Sequence, residues 1–408
     1  MLGSYWLVIP ALLFIVSLIL RQAPLLLTAL LFFMAGGVAR LWGRYCLSRI
    51  DYRRRLSDNR VFFGEEVQLE IEIANRKLLP LPWLQIDDEI PEEVTLLKGS
   101  TTSSHKVNRA ILSNLLPLSW YHGVKRRYPV RCSQRGLFTF GPARIRSGDL
   151  FGFFNRETET TSIDSLMVYP KILPLEKLGI PSKQPMGDIR TRRHISQDPI
   201  LTLGVREYQY GDSLKRIHWK TTARLGQLYT RIFEPTTTVD MGIFLDVRTT
   251  NPPLWGSVPQ LFELAIIASA SIAKYALDEG YRVGLYVNQS RSFSDEPIRV
   301  PPSQHTEQLA RLLEVLAQVH PTEAMPVSRL ISSESRSLPW GSTIVVITAM
   351  PTEALFATLN AIKRAGRSLA LILVGGTEPV ISTDGLTVYH IPDTVAWREL
   401  ETLNVESQ

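Results

Sequence analysis

Cysteine is almost absent from this chain of 408 residues: Cys46 and Cys132 are its only two. Two thiols cannot staple a disulfide framework or complete a four-cysteine zinc site, so they read as reduced, partly buried side chains. The seven histidines are scattered, and neither His-Glu-x-x-His nor paired Cys-x-x-Cys occurs, so the sequence holds no transition-metal centre of the usual kinds. Glycine-rich phosphate loops are missing as well. No Gly-x-Gly-x-x-Gly follows a strand and no Gly-x-x-x-x-Gly-Lys-Ser/Thr is present, which leaves a nucleotide site without support, and no cofactor is expected. The last absence is acid near the amino end. Residues 1–60 contain eight Arg and no Lys, with Asp51 and Asp58 as their only acids, which accounts for the whole formal charge of +6. The rest of the chain is balanced, whereas a nucleic-acid binder would spread basic surface over its folded part.

Hydrophobic residues dominate that same end. An uncharged apolar run from Gly3 to Leu20, the pair Arg21-Gln22, and a second run from Ala23 to Ala39 read as a hairpin of two short membrane spans. A cleaved signal peptide fits less well, because no basic segment precedes the first run and a second run follows at once. Tyr5, Trp6, Trp42 and Tyr45 stand where interfacial aromatics belong. Arg40, Arg44, Arg49, Arg53, Arg54 and Arg55 follow the second run, against Arg21 alone in the loop. Basic residues are retained on the cytoplasmic side, so both termini and the soluble domains are expected in the cytosol, on a two-pass protein of the inner membrane.

Residues 60–170 alternate like strands. Val67, Leu69, Ile71 and Ile73 share one face at strict period two, and turns are expected at Asn75, at Pro80-Leu81-Pro82 and at Pro91. Arg127–Cys132, Gly136–Phe140, Arg144–Arg146 and Leu166–Tyr169 are further strand candidates. Short strands at this spacing predict a beta-sandwich domain. Seven bases lie between Tyr121 and Ser147 without an acid. They read either as solvent-facing strand positions, the favoured reading, or as a face set against an anionic leaflet. From Pro181 to Ile200 the chain is polar and reads as a long connecting loop.

After Val239 strands and helices alternate. Met241–Leu245 reads as a buried parallel strand. A helix begins at Ser257 and Pro259 and closes at Gly280; the strand Tyr281–Val287 and a helix over Ser303–Val319 follow. Then come the strand Thr343–Thr348, a helix over Thr352–Ala365, the strands Ser368–Val374 and Leu386–Ile391, and a last helix near Ala396–Leu403. The alternation predicts an alpha/beta doubly wound domain whose ligand edge lies at the carboxyl ends of its strands.

Between these parts stands the densest constellation: Gly204, Arg206, Glu207, Tyr208, Gly211 and Asp212, then Arg216, His218, Trp219 and Arg224. Three readings are open. A salt-bridged junction would pair Glu207 and Asp212 with arginines and pack Tyr208 and Trp219. A partner-binding surface would use Arg, Tyr and Trp as anchors. A membrane-bound hydrolase or ligand-binding enzyme would centre on Glu207, Asp212 and His218, but an acid among so many cations stays ionised and is a poor base.

The run Leu203–Phe233, with Arg135-Gly136-Leu137-Phe138, Gly148-Asp149-Leu150-Phe151-Gly152, Val168-Tyr169-Pro170 and the hairpin of spans, resembles the domain of unknown function 58 family. Lys215 departs from it, standing where the family often has Arg. The resemblance implies a prokaryotic membrane-anchored protein with a von Willebrand factor A-like domain, and a MoxR-type AAA+ ATPase as its associated partner. It implies a metal question too, since functional sites of that fold carry Asp-x-Ser-x-Ser. Here the residues are Asp246-Val247-Arg248-Thr249-Thr250. Asp246 and Thr250 fit the outer positions, while Arg248 puts a cation where a hydroxyl should coordinate, so a degenerate site without tight metal binding is expected. The organisation expected is a transmembrane hairpin at 1–45, a beta-sandwich domain at 46–175, a connecting loop with the signature motif at 176–235, and a von Willebrand A-like domain at 236–408. The function expected is a non-enzymatic adaptor that binds partner proteins.

Overall fold

Two apolar runs build the first two elements, with Pro10 and Pro24 confined to the opening turn of each helix, where a missing N–H costs nothing. The computed structural model describes residues 8–150, 152, 154–181, 196–209, 217–236, 240–250, 256–290, 296–339, 342–376 and 386–393. Helices α1 (Val8–Leu20) and α2 (Ala23–Tyr45) pack together across a turn at Arg21, whose φ is 52°. Tyr5 and Trp6 lie outside the described residues. α2 is long and apolar enough to cross a membrane. It runs six residues past the expected end at Ala39, taking Trp42 and Tyr45 into its last turns. Gly43 lets Phe154 pack against this continuation, since a Cβ there would lie 2.5 Å from Phe154 Cβ.

The chain divides into two compact units, Met1–Pro170 and Lys171–Gln408. In the first, the strands are β1 (Ile50–Leu56), β2 (Arg60–Phe62), β3 (Glu66–Asn75), β4 (Leu81–Pro91), β5 (Val94–Leu96), β6 (Thr101–Ser103), β7 (Arg109–Leu118), β8 (Gly123–Cys132), β9 (Gly136–Phe140), β10 (Ala143–Gly148), β11 (Asn155–Glu159) and β12 (Asp164–Tyr169). They form sheets in the orders β1-β3-β8-β5, β11-β10-β4-β7-β6 and β2-β12-β9. Val67, Leu69, Ile71 and Ile73 are fully buried, as period two requires, in one hydrophobic cluster with Leu84, Ile86, Leu112 and Phe140. Each such aliphatic side chain contributes about 1.5–3 kcal/mol by leaving water.

The turn expected at Pro80-Leu81-Pro82 is instead the start of β4. A shift of register between Leu81 and Leu84 against β7 absorbs the proline that cannot donate to the ladder, and Pro91 is the strand's last residue. The basic run 121–147 is largely matched across strands. Glu70 and Glu72 stand opposite Arg127 and Lys125, and Glu157 pairs with Arg144 and Arg146 at 2.9 and 3.0 Å. Arg54 leaves the basic cluster that was expected to set the topology. Its buried guanidinium binds Asp88 at 2.6 Å, Asp164 at 2.8 Å and the carbonyls of Phe140 and Ser162, tying β1, β4 and β12 together.

In the second unit the stretch expected as a connecting loop is partly regular. β13 (Ser196–Glu207) pairs antiparallel with β14 (Tyr229–Thr236), and α3 (Trp219–Leu225) lies between them in sequence. Then follow β15 (Asp240–Leu245), α4 (Pro259–Asp278), β16 (Arg282–Val287), β17 (Ile298–Ser303), α5 (Gln308–Ala317), α6 (Val327–Glu334), β18 (Thr343–Thr348), α7 (Glu353–Arg364), β19 (Ser368–Val374) and β20 (Thr387–Ile391). The sheet order is β17-β16-β15-β18-β19-β20, parallel except for β17. All six residues of β15 and of β18 are buried, as strands covered on both faces must be. α6 and α7 cover one face through Leu330, Ile331, Leu355 and Leu359. α4 packs on β15, β16 and β18 and carries α5 beside it.

Two boundaries differ from expectation. Val258, not Ser257, precedes α4, with Pro259 in the first turn, so the proline rather than a hydroxyl cap starts the helix. The helix expected from Ser303 begins at Gln308, and Ile298–Ser303 is an edge strand where Pro301 and Pro302, which lack an N–H, are tolerated because no further strand needs a donor there. The last expected helix lies outside the described residues.

Candidate partner-binding site

The signature motif is built on the β13–β14 ribbon. Arg206 and Glu207 pair in register with Thr230 and Tyr229, and Ile217 bridges Thr230 from the other edge of β14. β14 therefore separates Glu207 from His218, whose N–H bonds Tyr229 O at 2.8 Å. With strands ~4.8 Å apart, the two backbones stand about 10 Å from each other. Strand alternation puts Val205 and Glu207 on the exposed face and Arg206 and Tyr208 on the half-buried one. Arg206 Nη1 donates to Glu207 O at 3.2 Å.

His218 is the N-cap of α3. Its Nδ1 accepts from Thr221 N at 3.2 Å and lies 2.7 Å from Thr221 Oγ1. A backbone N–H can only donate, so Nδ1 is the unprotonated nitrogen. Gly226, at φ 72°, ends the helix by donating to Thr222 O. Ile217 and Thr230 are buried beneath, and they, rather than Trp219, pack this element. Trp219 is 66% exposed, with Arg224 and Leu225 also exposed. Gly211, Asp212 and Arg216 lie outside the described residues.

A second polar cluster forms at the carboxyl edge of the six-stranded sheet, where strand order reverses about β15. Asp246, directly after β15, accepts from Thr348 Oγ1 at 2.8 Å, Asn288 Nδ2 at 2.9 Å and Arg248 N at 3.1 Å. Asn288 Oδ1 in turn accepts from Val247 N at 2.9 Å. Burial raises the Asp246 carboxyl pKa against the pull of these donors. Glu323, which bridges Gln289 beside Asn288, is a second acid near the cluster, and its pKa is pushed up by burial and then by Asp246. Asn288, Thr348 and Glu323 carry no signal in the sequence beyond the first two standing at strand ends. The donor set does not fit a divalent metal. Each Asp246 oxygen already accepts at least one protein hydrogen bond, the Thr250 hydroxyl donates to Gly256 O at 2.5 Å, Arg248 adds a cation, and no group of three His, Cys, Asp or Glu gathers among the described residues.

Similar solved structures include a CARDB domain from Pyrococcus furiosus, 9% identical and covering 29% of this chain and 91% of its own, with a TM-score of 0.20. A Clostridium perfringens cohesin module is 13% identical and covers 29% of this chain and 96% of its own, also at 0.20. Likeness at this level carries no argument. The uncharacterized protein YeaD of Bacillus subtilis (strain 168) is 24% identical over 305 residues, 72% of this chain and 69% of its own. Residues 204–406, from the signature ribbon to near the carboxyl end, match the family described as "Protein of unknown function DUF58".

Proposed function

We propose that the protein is a membrane-anchored, non-enzymatic adaptor whose α/β unit binds partner proteins. The observation that carries this reading is Trp219. A fixed cap and a fixed helix end hold its ring 66% exposed, in a motif that also exposes Arg224 and Leu225. Trp and Arg are the commonest interface anchors. The hydrolase alternative gains no support from His218, whose Nδ1 is committed to capping, or from Glu207, set across β14 from it. The parallel order with Asp246 at the switch point favours a von Willebrand A-like domain, and the occupied carboxylate favours one without tight metal binding. The family resemblance makes a MoxR-type AAA+ ATPase the partner of choice, in the assembly or maturation of other proteins.

The test is co-purification of that ATPase with the full-length chain from a mild-detergent extract. Trp219→Ala and Arg206→Ala should each lower capture at least about ten-fold, the loss expected of an interface anchor. Capture should be indifferent to chelation of divalent cations. Undiminished capture by both correctly folded variants would remove the motif from the binding surface.

A further inference from the structure

The last turn of α2, the β3–β4 turn and the β7–β8 turn are bonded together at one end of the first unit. Lys77 Nζ donates to Cys46 O at 2.5 Å and to Ser48 O at 2.7 Å, closing the carboxyl end of α2, where unpaired carbonyls carry partial negative charge. Tyr121 N donates to Lys77 O at 3.3 Å, and the Asn75 side-chain amide donates to Leu79 O at 2.9 Å and Ser119 O at 3.0 Å. The tips of these turns expose Leu78 (72%), Trp120 (63%) and Tyr121 (66%). Three large apolar or aromatic side chains in water, fastened to the end of an apolar helix, have the composition of a membrane interface.

A cavity of about 600 Å³ opens here, with Val38, Leu41, Trp42 and Tyr45 of α2 on its apolar side and Arg49 and Lys77 on its polar side. No acid lines it. An ammonium has three donors, and two of Lys77's are taken by the carbonyls, leaving one. Arg49 has no ion-pair partner among the described residues and holds a backbone φ of 51°, a left-handed conformation that glycine adopts without strain.

Resting on the membrane-anchor reading, we propose that this cavity binds an anionic phospholipid of the leaflet that α2 leaves. An acyl chain lies along Val38 and Leu41, the phosphate meets Arg49 and Lys77, and Leu78, Trp120 and Tyr121 enter the same interface. Two cations without an acid select a net-negative headgroup over a zwitterionic one, whose ammonium would find no partner.

The test is native mass spectrometry of the full-length chain released from detergent and titrated with phosphatidylglycerol or phosphatidylcholine. Phosphatidylglycerol should be retained preferentially. Arg49→Gly and Lys77→Met should each lower its retention about five-fold, the loss of one interfacial cation, and leave phosphatidylcholine unchanged. Arg311→Ala, on α5, should change neither. Arg49→Gly keeps the test decisive if Lys77→Met fails to fold, because glycine suits that backbone. Equal retention of the two lipids, an unaffected Arg49→Gly variant, or equally effective competition by glycerol phosphate would overturn the lipid site. Loss of the wild-type chain from carbonate-washed membranes would overturn the anchor itself, so the two failures are distinct.

Discussion

Asp246 is 3% exposed and receives a donor from each of three segments. Asparagine can reproduce this pattern, keeping one oxygen for Asn288 and Arg248 N and turning its amide toward Thr348 Oγ1, whereas alanine orphans all three donors. Asp246→Ala should therefore cost about 1–3 kcal/mol. Because burial raises the folded carboxyl above its ordinary pKa, the contribution of Asp246 to stability is fully present below the unfolded value and is lost as pH rises through the folded value. Asp246→Asn lacks this dependence. It should match or exceed the wild type in thermal unfolding at pH 7, with the difference shifting toward the wild type on acidification. A large loss with Asn at pH 7 would mean that the negative charge itself is required.

Among elements, α2 shows how close packing outweighs propensity. Its buried positions Ala29, Gly36, Ala39 and Gly43 are small residues on one side of an otherwise exposed helix. Gly43→Ala would ordinarily gain about 1 kcal/mol of helix propensity. Here the new Cβ would stand 2.5 Å from Phe154 Cβ and 3.1 Å from its carbonyl oxygen, a backbone atom that cannot swing away. Overpacking of ~1–3 kcal/mol wins. The end of α2 should loosen from β10 and β11, read as faster amide exchange over residues 40–48 in the detergent-solubilised chain. Unchanged or slower exchange would show that the strand region yields instead.

For the whole molecule, the question is which side of a membrane each part faces. With Arg54 consumed inside the first unit and Arg53 and Arg55 on β1, the bases at the carboxyl end of α2 are Arg40 and Arg44 within the helix and Arg49 just past it, still more than Arg21 alone in the interhelical turn. The orientation expected from them places that turn outside and the soluble units in the cytosol. Both native thiols are buried, so single introduced cysteines report cleanly. Gln22→Cys should react with an impermeant maleimide in intact cells and Lys98→Cys only after lysis. The reverse pattern would invert the topology.

Local order was legible without coordinates. Period two in Val67–Ile73, the strands at Thr343–Thr348 and Ser368–Val374, and the apolar runs at the amino end each follow from a repeat or a breaker carried within a dozen or so neighbouring residues. β4 and β17 were hidden by their prolines, which mark turns unless a bulge or a sheet edge excuses the missing N–H. The motif's dense composition was equally plain, but not that Trp219 faces water while Ile217 packs. Length and composition alone let both α2 and α4 pass for membrane spans; the strand–helix alternation around α4 already marked it as a domain helix, and burial agrees, with 67% of its apolar window buried against 11% for α2. The sequence by itself determined the periodicities, the acid-poor amino end and the absence of familiar metal and nucleotide motifs, because each is a property of neighbours along the chain. Only the tertiary structure decided that Arg54 meets Asp164, 110 residues away, and that Asp246 is satisfied by Asn288 and Thr348, 42 and 102 residues away. Such partners are fixed by sheet order and register, and until these are set no carboxylate or guanidinium has a defined neighbour.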